Sequence, residues 1–235
     1  LLEMYFYGAD VYSSFASDLY DRPITKADEI ERFVGKTAIL GLGYGMGAHK
    51  FKATLKTANI DLPFEECNEA VNAYRSKYPA IPALWEQSER ILRQTLNLKN
   101  GEKFAYQYKG LQAAPSAIMM PNGMGLRYHD LELISNGKLS YKSGKKTEFT
   151  YGGKIAENII QALARIVICE QMLAIQQLPE FEVVLTVHDE IIAISDDTNP
   201  QERMDTMLSV MRTAPTWALD LPLDAEGGWD KCYSK

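Results

Sequence analysis

Apolar positions recur at helical spacing through the first hundred residues; after that they alternate or run on. "TKADEIERFVGK" (25–36) reads as a helix start, with Thr25 as N-cap and Asp28 three residues on, followed by an apolar face of Ile30, Phe33, Val34 and Thr37. "PFEECNEAVNAYRSKYP" (63–79) predicts a second helix stopped by Pro79. "PALWEQSERILRQTLNL" (82–98) predicts a third, with Leu84, Ile91, Leu92 and Leu96 on one side. Residues 100–150 mix Gly, Lys and Tyr with short alternating runs and read as hairpins and loops. "GKIAENIIQALARIVICEQMLAIQQL" (153–178) is apolar nearly all round, which predicts a long central helix. Two strands follow, "FEVVLTV" (181–187) and "EIIAIS" (190–195), then a last helix in "PQERMDTMLSVMRTA" (200–214) and a tail, "GGWDKCYSK". This order is α+β and not a regular βαβ alternation.

Composition narrows the class. The chain has 235 residues, enough for one large domain or two small ones. It is 46% hydrophobic and 24% charged, so it can bury a core and is not disordered. A net charge of −6 means that bulk electrostatics do not attract nucleic acid; any such binding rests on a local basic patch, and lysines do cluster in 36–56 and 138–154. Three widely spaced cysteines, Cys67, Cys169 and Cys232, fit reduced intracellular thiols and neither a disulfide framework nor a zinc site. No uninterrupted apolar run approaches the roughly 18 residues of a span, and the start does not look like a signal peptide, so the expectation is a cytoplasmic chain with no membrane partner. The first residue is Leu and not Met, which leaves room for an upstream segment or a processed end.

Three stretches carry candidate chemistry. "TAILGLGYGMGAHKFK" (37–52) contains Gly43-x-Gly45-x-x-Ala48, formally a dinucleotide fingerprint, with Asp61 where a ribose-binding acid would sit. The context argues against it: helical segments follow where strand–helix repeats are needed, and no Gly-Lys-Ser/Thr closes a P-loop. Arg32, Lys36, Leu40 and Tyr44 are spaced by four. On a helix each step advances about 400°, so they would form one oblique stripe. Two cations one turn apart suit a polyphosphate, and the aliphatic and aromatic positions a base or sugar. A solvated basic face running into a core face fits the same spacing, and on spacing alone is the better reading. In "VVLTVHDEIIAIS" (183–195), Asp189 and Glu190 stand where one strand turns into the next. Hard cations such as Mg²⁺ take carboxylate oxygens, but two-metal chemistry needs a further carboxylate from elsewhere. A plain polar hairpin turn is the competing reading; strongly apolar flanks and the lack of Asn-Gly or Asp-Gly argue against it.

Together these segments resemble the C-terminal polymerase region of the family A DNA polymerases. "RFVGKTAILGLGYGM" (32–46) resembles that family's fingers-helix motif, Arg-x3-Lys-x3-(Phe/Tyr/Leu)-Gly-x2-Tyr-Gly, at Arg32, Lys36, Leu40, Gly41, Tyr44 and Gly45; "VHDE" (187–190) resembles its palm motif. "YRSKYPAIPALWEQ" resembles the segment after the fingers helix, and "YGGKIAENIIQALAR" the bacteriophage branch in particular.

The resemblance implies an α+β fold: a helical fingers-like subdomain over 1–97, then a palm-like portion over 98–235 with a catalytic β-hairpin, an incomplete right-hand polymerase. It implies DNA-directed synthesis from dNTP on primer–template DNA. Arg32 and Lys36 would hold the triphosphate, with Lys36 able to protonate the leaving pyrophosphate. Leu40 would lie by the sugar, and Tyr44, beside Gly45, at the nascent base pair and template. Asp189 would bind Mg²⁺ with Glu190 nearby, His188 would approach the primer terminus, and Gln161 the minor groove, with Asn158 as neighbour. Tyr12 stands where the family has a triphosphate-contacting His. The family's first palm motif, Asp-Tyr-Ser-x-x-Glu, does not occur in these residues. The expected two-metal site would be completed by an Asp outside this chain, on an upstream segment or a second chain, so the chain alone would be half an active site, placed in the host cytoplasm if viral. Gly35, Gly43 and Gly47 depart from the motif and predict a mobile fingers helix. The competing expectation is a noncatalytic nucleic-acid-binding or scaffold module that keeps the fold.

Overall fold

Among the described residues six helices form before residue 96: α1 (Leu2–Phe6), α2 (Val11–Tyr20), α3 (Glu29–Leu42), α4 (Ala48–Thr57), α5 (Phe64–Lys77) and α6 (Ala80–Thr95). A computed structural model describes residues 2–105 and 110–233; residues 106–109 of the expected hairpin region and 234–235 of the tail lie outside the described residues. The chain divides into two compact units. One holds Leu1–Ala105, Gln112–Met119 and Gly125–Ile159; the other holds Tyr106–Leu111, Met120–Met124 and Ile160–Lys235.

The first unit is built on a helical core. Val11 and Phe15 of α2, Val34, Ala38 and Leu42 of α3, Phe51 and Leu55 of α4, and Val71 and Tyr74 of α5 bury one another. Phe15 and Tyr74 meet edge-on, centroids 5.6 Å apart. Each large side chain buried this way stabilises the fold by about 1.5–3 kcal/mol. The sequence pattern did not single out α2 or α4 as helices, although Val11/Phe15 and Phe51/Leu55 have i, i+4 spacing.

Two details of α3 depart from expectation. The helix begins at Glu29, and Thr25 and Asp28 make a turn ahead of it: the Thr25 N–H and hydroxyl donate to the Asp28 carboxylate at 2.9 and 3.0 Å. Arg22 pairs with the same carboxylate at 2.8 Å, and Asp28 stands at the N-cap without accepting a side-chain cap bond from the helix. The buried face is also displaced. Ile30 and Phe33 are 62% and 38% exposed, because α3 meets α2 at Gly35, beyond the first turn. Gly43 and Gly47 lie past the end of α3, at its C-cap and at the N-cap of α4, and so do not interrupt it.

After α6 the chain forms short antiparallel strands, as the alternating runs require. β1 (Phe104–Ala105), β2 (Gln112–Ala114), β3 (Ala117–Met119) and β4 (Gly125–Arg127) make one meander. β5 (His129–Leu133), β6 (Leu139–Ser143) and β7 (Lys146–Thr150) make a second. Buried Tyr128 packs edge-on against Tyr141 at 5.2 Å.

α7 (Gly152–Gln176) follows, then β8 (Glu182–Val187), β9 (Glu190–Ile194) and α8 (Pro200–Met211). In the second unit Ile175, Phe181, Ile191 and Met207 form the core. α7 is not buried on all sides as its composition suggests: Ile160 and Leu173 are 40% and 56% exposed. The hairpin and α8 gather on the Ile175 side and leave Leu173 in solvent. By length and composition α7, with mean hydropathy 1.4, could cross a bilayer. Its last turns are instead tied to protein: Gln171 donates to the Met211 carbonyl at 2.6 Å, and Trp217 Nε1 to the Glu170 carboxylate at 3.2 Å.

Candidate active site

The exposed face of α3 starts at an ion pair. Asp10 caps α2, accepting from the backbone N–H of Tyr12 and Ser13 through Oδ1. Its Oδ2 accepts from the Ser13 hydroxyl at 2.9 Å and from Arg32 Nε at 2.7 Å. Burial alone would raise the Asp10 pKa, but the donors from Arg32 and Ser13 outweigh it and hold the carboxyl at about 2. The Tyr12 ring flanks the same guanidinium, with its centroid 5.4 Å from Arg32 Cζ. Among the described residues Arg32 donates to protein only through Nε. Lys36, one turn on, is exposed and has no ion-pair or hydrogen-bond partner among the described residues. Leu40 follows at 50% exposure. The predicted stripe therefore exists from Arg32 to Leu40.

Tyr44 falls outside it. α3 ends at Leu42, and Tyr44 lies in the turn beyond, where Gly45 takes φ +83°. A side chain at Gly45 would be strained by that φ and would crowd the Tyr151 ring at 3.2 Å. Trp85 Nε1 of α6 donates to the Gly43 carbonyl at 2.9 Å. A Cβ on Gly153 would lie 2.5 Å from the Tyr44 carbonyl oxygen, so the start of α7 packs directly on this turn. Glu89 accepts from the Gly152 N–H at 2.9 Å, a carboxylate at a helix N-terminus. Burial, with help from the Glu157 charge, pushes the Tyr44 phenol above its usual pKa.

The carboxylates sit in the other unit. Val187 of β8 pairs with Glu190 of β9, which leaves His188 and Asp189 as a two-residue loop. His188 takes φ +54° at the first loop position, where glycine is the favoured residue. A non-glycine residue there stores strain, a feature that concentrates at functional sites. His188, Asp189 and Glu190 are all exposed. Tyr233 of the tail donates to Glu190 Oε2 at 3.4 Å. Among the described residues no group of three or more His, Cys, Asp or Glu gathers to hold a metal; the loop offers Asp189 and Glu190. Gln161 is exposed on α7, and Asn158, three residues before it, donates to the Tyr128 hydroxyl at 3.4 Å.

The structure thus places Arg32, Lys36 and Leu40 along one helix face with Tyr12 beside it, and His188 and Asp189 in one loop. The sequence pattern missed Asp10, Trp85 and Glu89. Asp10 had a usable signal, an acid directly before Val11 and Phe15 with Ser13 three residues on; Trp85 and Glu89 act across tens of residues and had none.

The family model for DNA polymerase family A matches residues 1–235. The chain is 30% identical over 253 aligned residues to a DNA polymerase of Bacillus phage SP02, an alignment that covers 100% of this chain. The chain spans 38% of that relative's length.

Proposed function

This chain belongs to DNA polymerase family A, and from that premise we propose that it carries fingers (1–97) and part of the palm (98–235) of a phage-like polymerase, transferring a nucleotidyl group from dNTP to a primer 3′-hydroxyl. One observation carries the reading: Arg32 and Lys36 stand one turn apart on the exposed face of α3, and among the described residues neither Nη group of Arg32 nor the Lys36 ammonium has a partner. Two cations held so close have a natural ligand in a triphosphate, whose charge is too dense for one side chain.

In this reading Arg32 and Lys36 bind the triphosphate, Tyr12 flanks Arg32, and Lys36 protonates the departing pyrophosphate. Leu40 lies against the sugar. Tyr44 meets the nascent pair, with the Gly45 turn by the template. His188 approaches the primer terminus, Gln161 the minor groove, and Asn158 stands beside it. Asp189 and Glu190 are hard oxygen donors of the kind Mg²⁺ takes, which fits one side of a two-metal site. Mg²⁺, when bound, supplies charge neutralisation at the phosphoryl oxygens. We assign the remaining carboxylate to an Asp outside this chain, on an upstream segment or separate chain; that the chain spans 38% of the phage relative supports this. The setting is the cytoplasm, that of the host if the polymerase is viral.

Primer extension tests the reading. The chain is assayed alone and with the upstream polymerase segment added, each with and without Asp189→Ala. Synthesis that needs both segments and is lost in Asp189→Ala, with primer–template binding retained, is the expected result. Robust Mg²⁺-dependent synthesis by the chain alone would overturn the shared site. DNA binding without synthesis in every pairing would make the chain a noncatalytic nucleic-acid module.

A further inference from the structure

We infer that Asp10 is a positioning residue that presents Arg32 to the incoming triphosphate; this rests on the polymerase reading of the α3 face. Three donors fix the Asp10 carboxylate as the cap of α2: the N–H groups of Tyr12 and Ser13 at 3.1 and 3.3 Å, and the Ser13 hydroxyl at 2.9 Å. The fourth donor is Arg32 Nε, from a residue 22 positions along the chain. The Tyr12 ring lies beside the guanidinium, so one turn of α2 holds both an edge and a face of Arg32.

What this leaves open matters. A guanidinium held at Nε keeps its Nη1 and Nη2 groups as an end-on fork, which matches two oxygens of one phosphoryl group. An unheld arginine would lose rotamer freedom on binding; Asp10 removes that freedom beforehand. The carboxylate's own charge opposes an anionic ligand, but two backbone N–H groups, a hydroxyl and a guanidinium already compensate it.

The test is calorimetric titration of the folded chain with inorganic tripolyphosphate, in chelator, for wild type, R32A, D10N and R32K. Asn caps a helix as well as Asp does, so D10N keeps the start of α2 and loses the arginine anchor. We expect R32A to abolish binding and D10N to weaken it roughly tenfold, the loss of one charge-assisted hydrogen bond. In the R32K background D10N is expected to have little further effect, because Lys has no Nε edge to hold; a merely structural loss would repeat in full. Binding that R32A abolishes and D10N leaves unchanged or tighter overturns the Asp10 role and leaves the polymerase reading of α3 standing. Absent binding by wild type, or binding indifferent to R32A, overturns both. Should D10N fail to fold, isotope-labelled arginine in the wild-type chain decides: a slowly exchanging Arg32 Nε–H supports the anchor, and one averaged with solvent overturns it.

Discussion

Gly35 lies directly against the carbonyl oxygen of Tyr12: a Cβ in its place would come within 2.3 Å of that oxygen and 3.0 Å of Ala16 Cβ. By helix propensity alone Gly35→Ala should stabilise α3 by about 1 kcal/mol. The contact reverses the sign, because the obstructing atom is backbone and cannot rotate away. We expect Gly35→Ala to destabilise the chain by roughly 1–3 kcal/mol, as overpacking does, read as a lower urea midpoint. An unchanged or raised midpoint would mean that α2 and α3 do not touch here.

The same residue shows where the sequence was legible. Gly35 reads as a helix weakener in sequence; its purpose depends on a neighbour more than 20 positions away, which no local pattern records. The α5, α6 and α8 segments were legible because their apolar spacing and stop signals are local. α2 and α4 were passed over: each is ten residues long, and its apolar spacing shows as a single i, i+4 pair, Val11/Phe15 and Phe51/Leu55. Within the site, the i+4 ladder from Arg32 to Leu40 was legible. That Tyr44 leaves the helix was not, because the Gly45 turn is held by Trp85 and Gly153 from distant segments.

Lys36 separates nucleotide from DNA. Its side chain is exposed and unpaired among the described residues, so Lys36→Ala removes no internal bond and should leave the melting temperature nearly unchanged. If it meets the triphosphate and donates a proton, single-turnover incorporation by the assembled polymerase should slow on the order of a hundredfold. Primer–template affinity, measured by fluorescence anisotropy, should change far less. Equal losses in both would make Lys36 a DNA contact.

Leu40 bears on sugar selection. It is 50% exposed at the end of the cationic stripe, with no hydrogen-bonding atom on its side chain. Leu40→Tyr adds a hydroxyl that can replace the hydrogen bond a dideoxy sugar lacks. The ratio of deoxy to dideoxy incorporation is therefore expected to fall, by about tenfold for one such bond, in a competition assay at fixed template. A constant ratio would place Leu40 away from the sugar.

Acid should loosen the α2–α3 junction through Asp10. Its carboxyl is held at about 2 against an ordinary 3.8, burial raising it and the Arg32 and Ser13 hydrogen bonds lowering it further. A depressed carboxyl contributes stability that is full above the unfolded value and is lost as pH falls through the folded one. With its side chain 23% exposed, Asp10 contributes on the order of 1–2 kcal/mol. Asp28, at the start of α3, is also held at about 2, chiefly by the Arg22 hydrogen bond, so both ends of the junction weaken in the same window. Thermal melts of wild type and D10N should therefore differ by a constant amount from about pH 8 to about pH 5, and converge between about pH 4 and about pH 2. A gap that widens on acidification would show that the Asp10–Arg32 pair does not hold the junction.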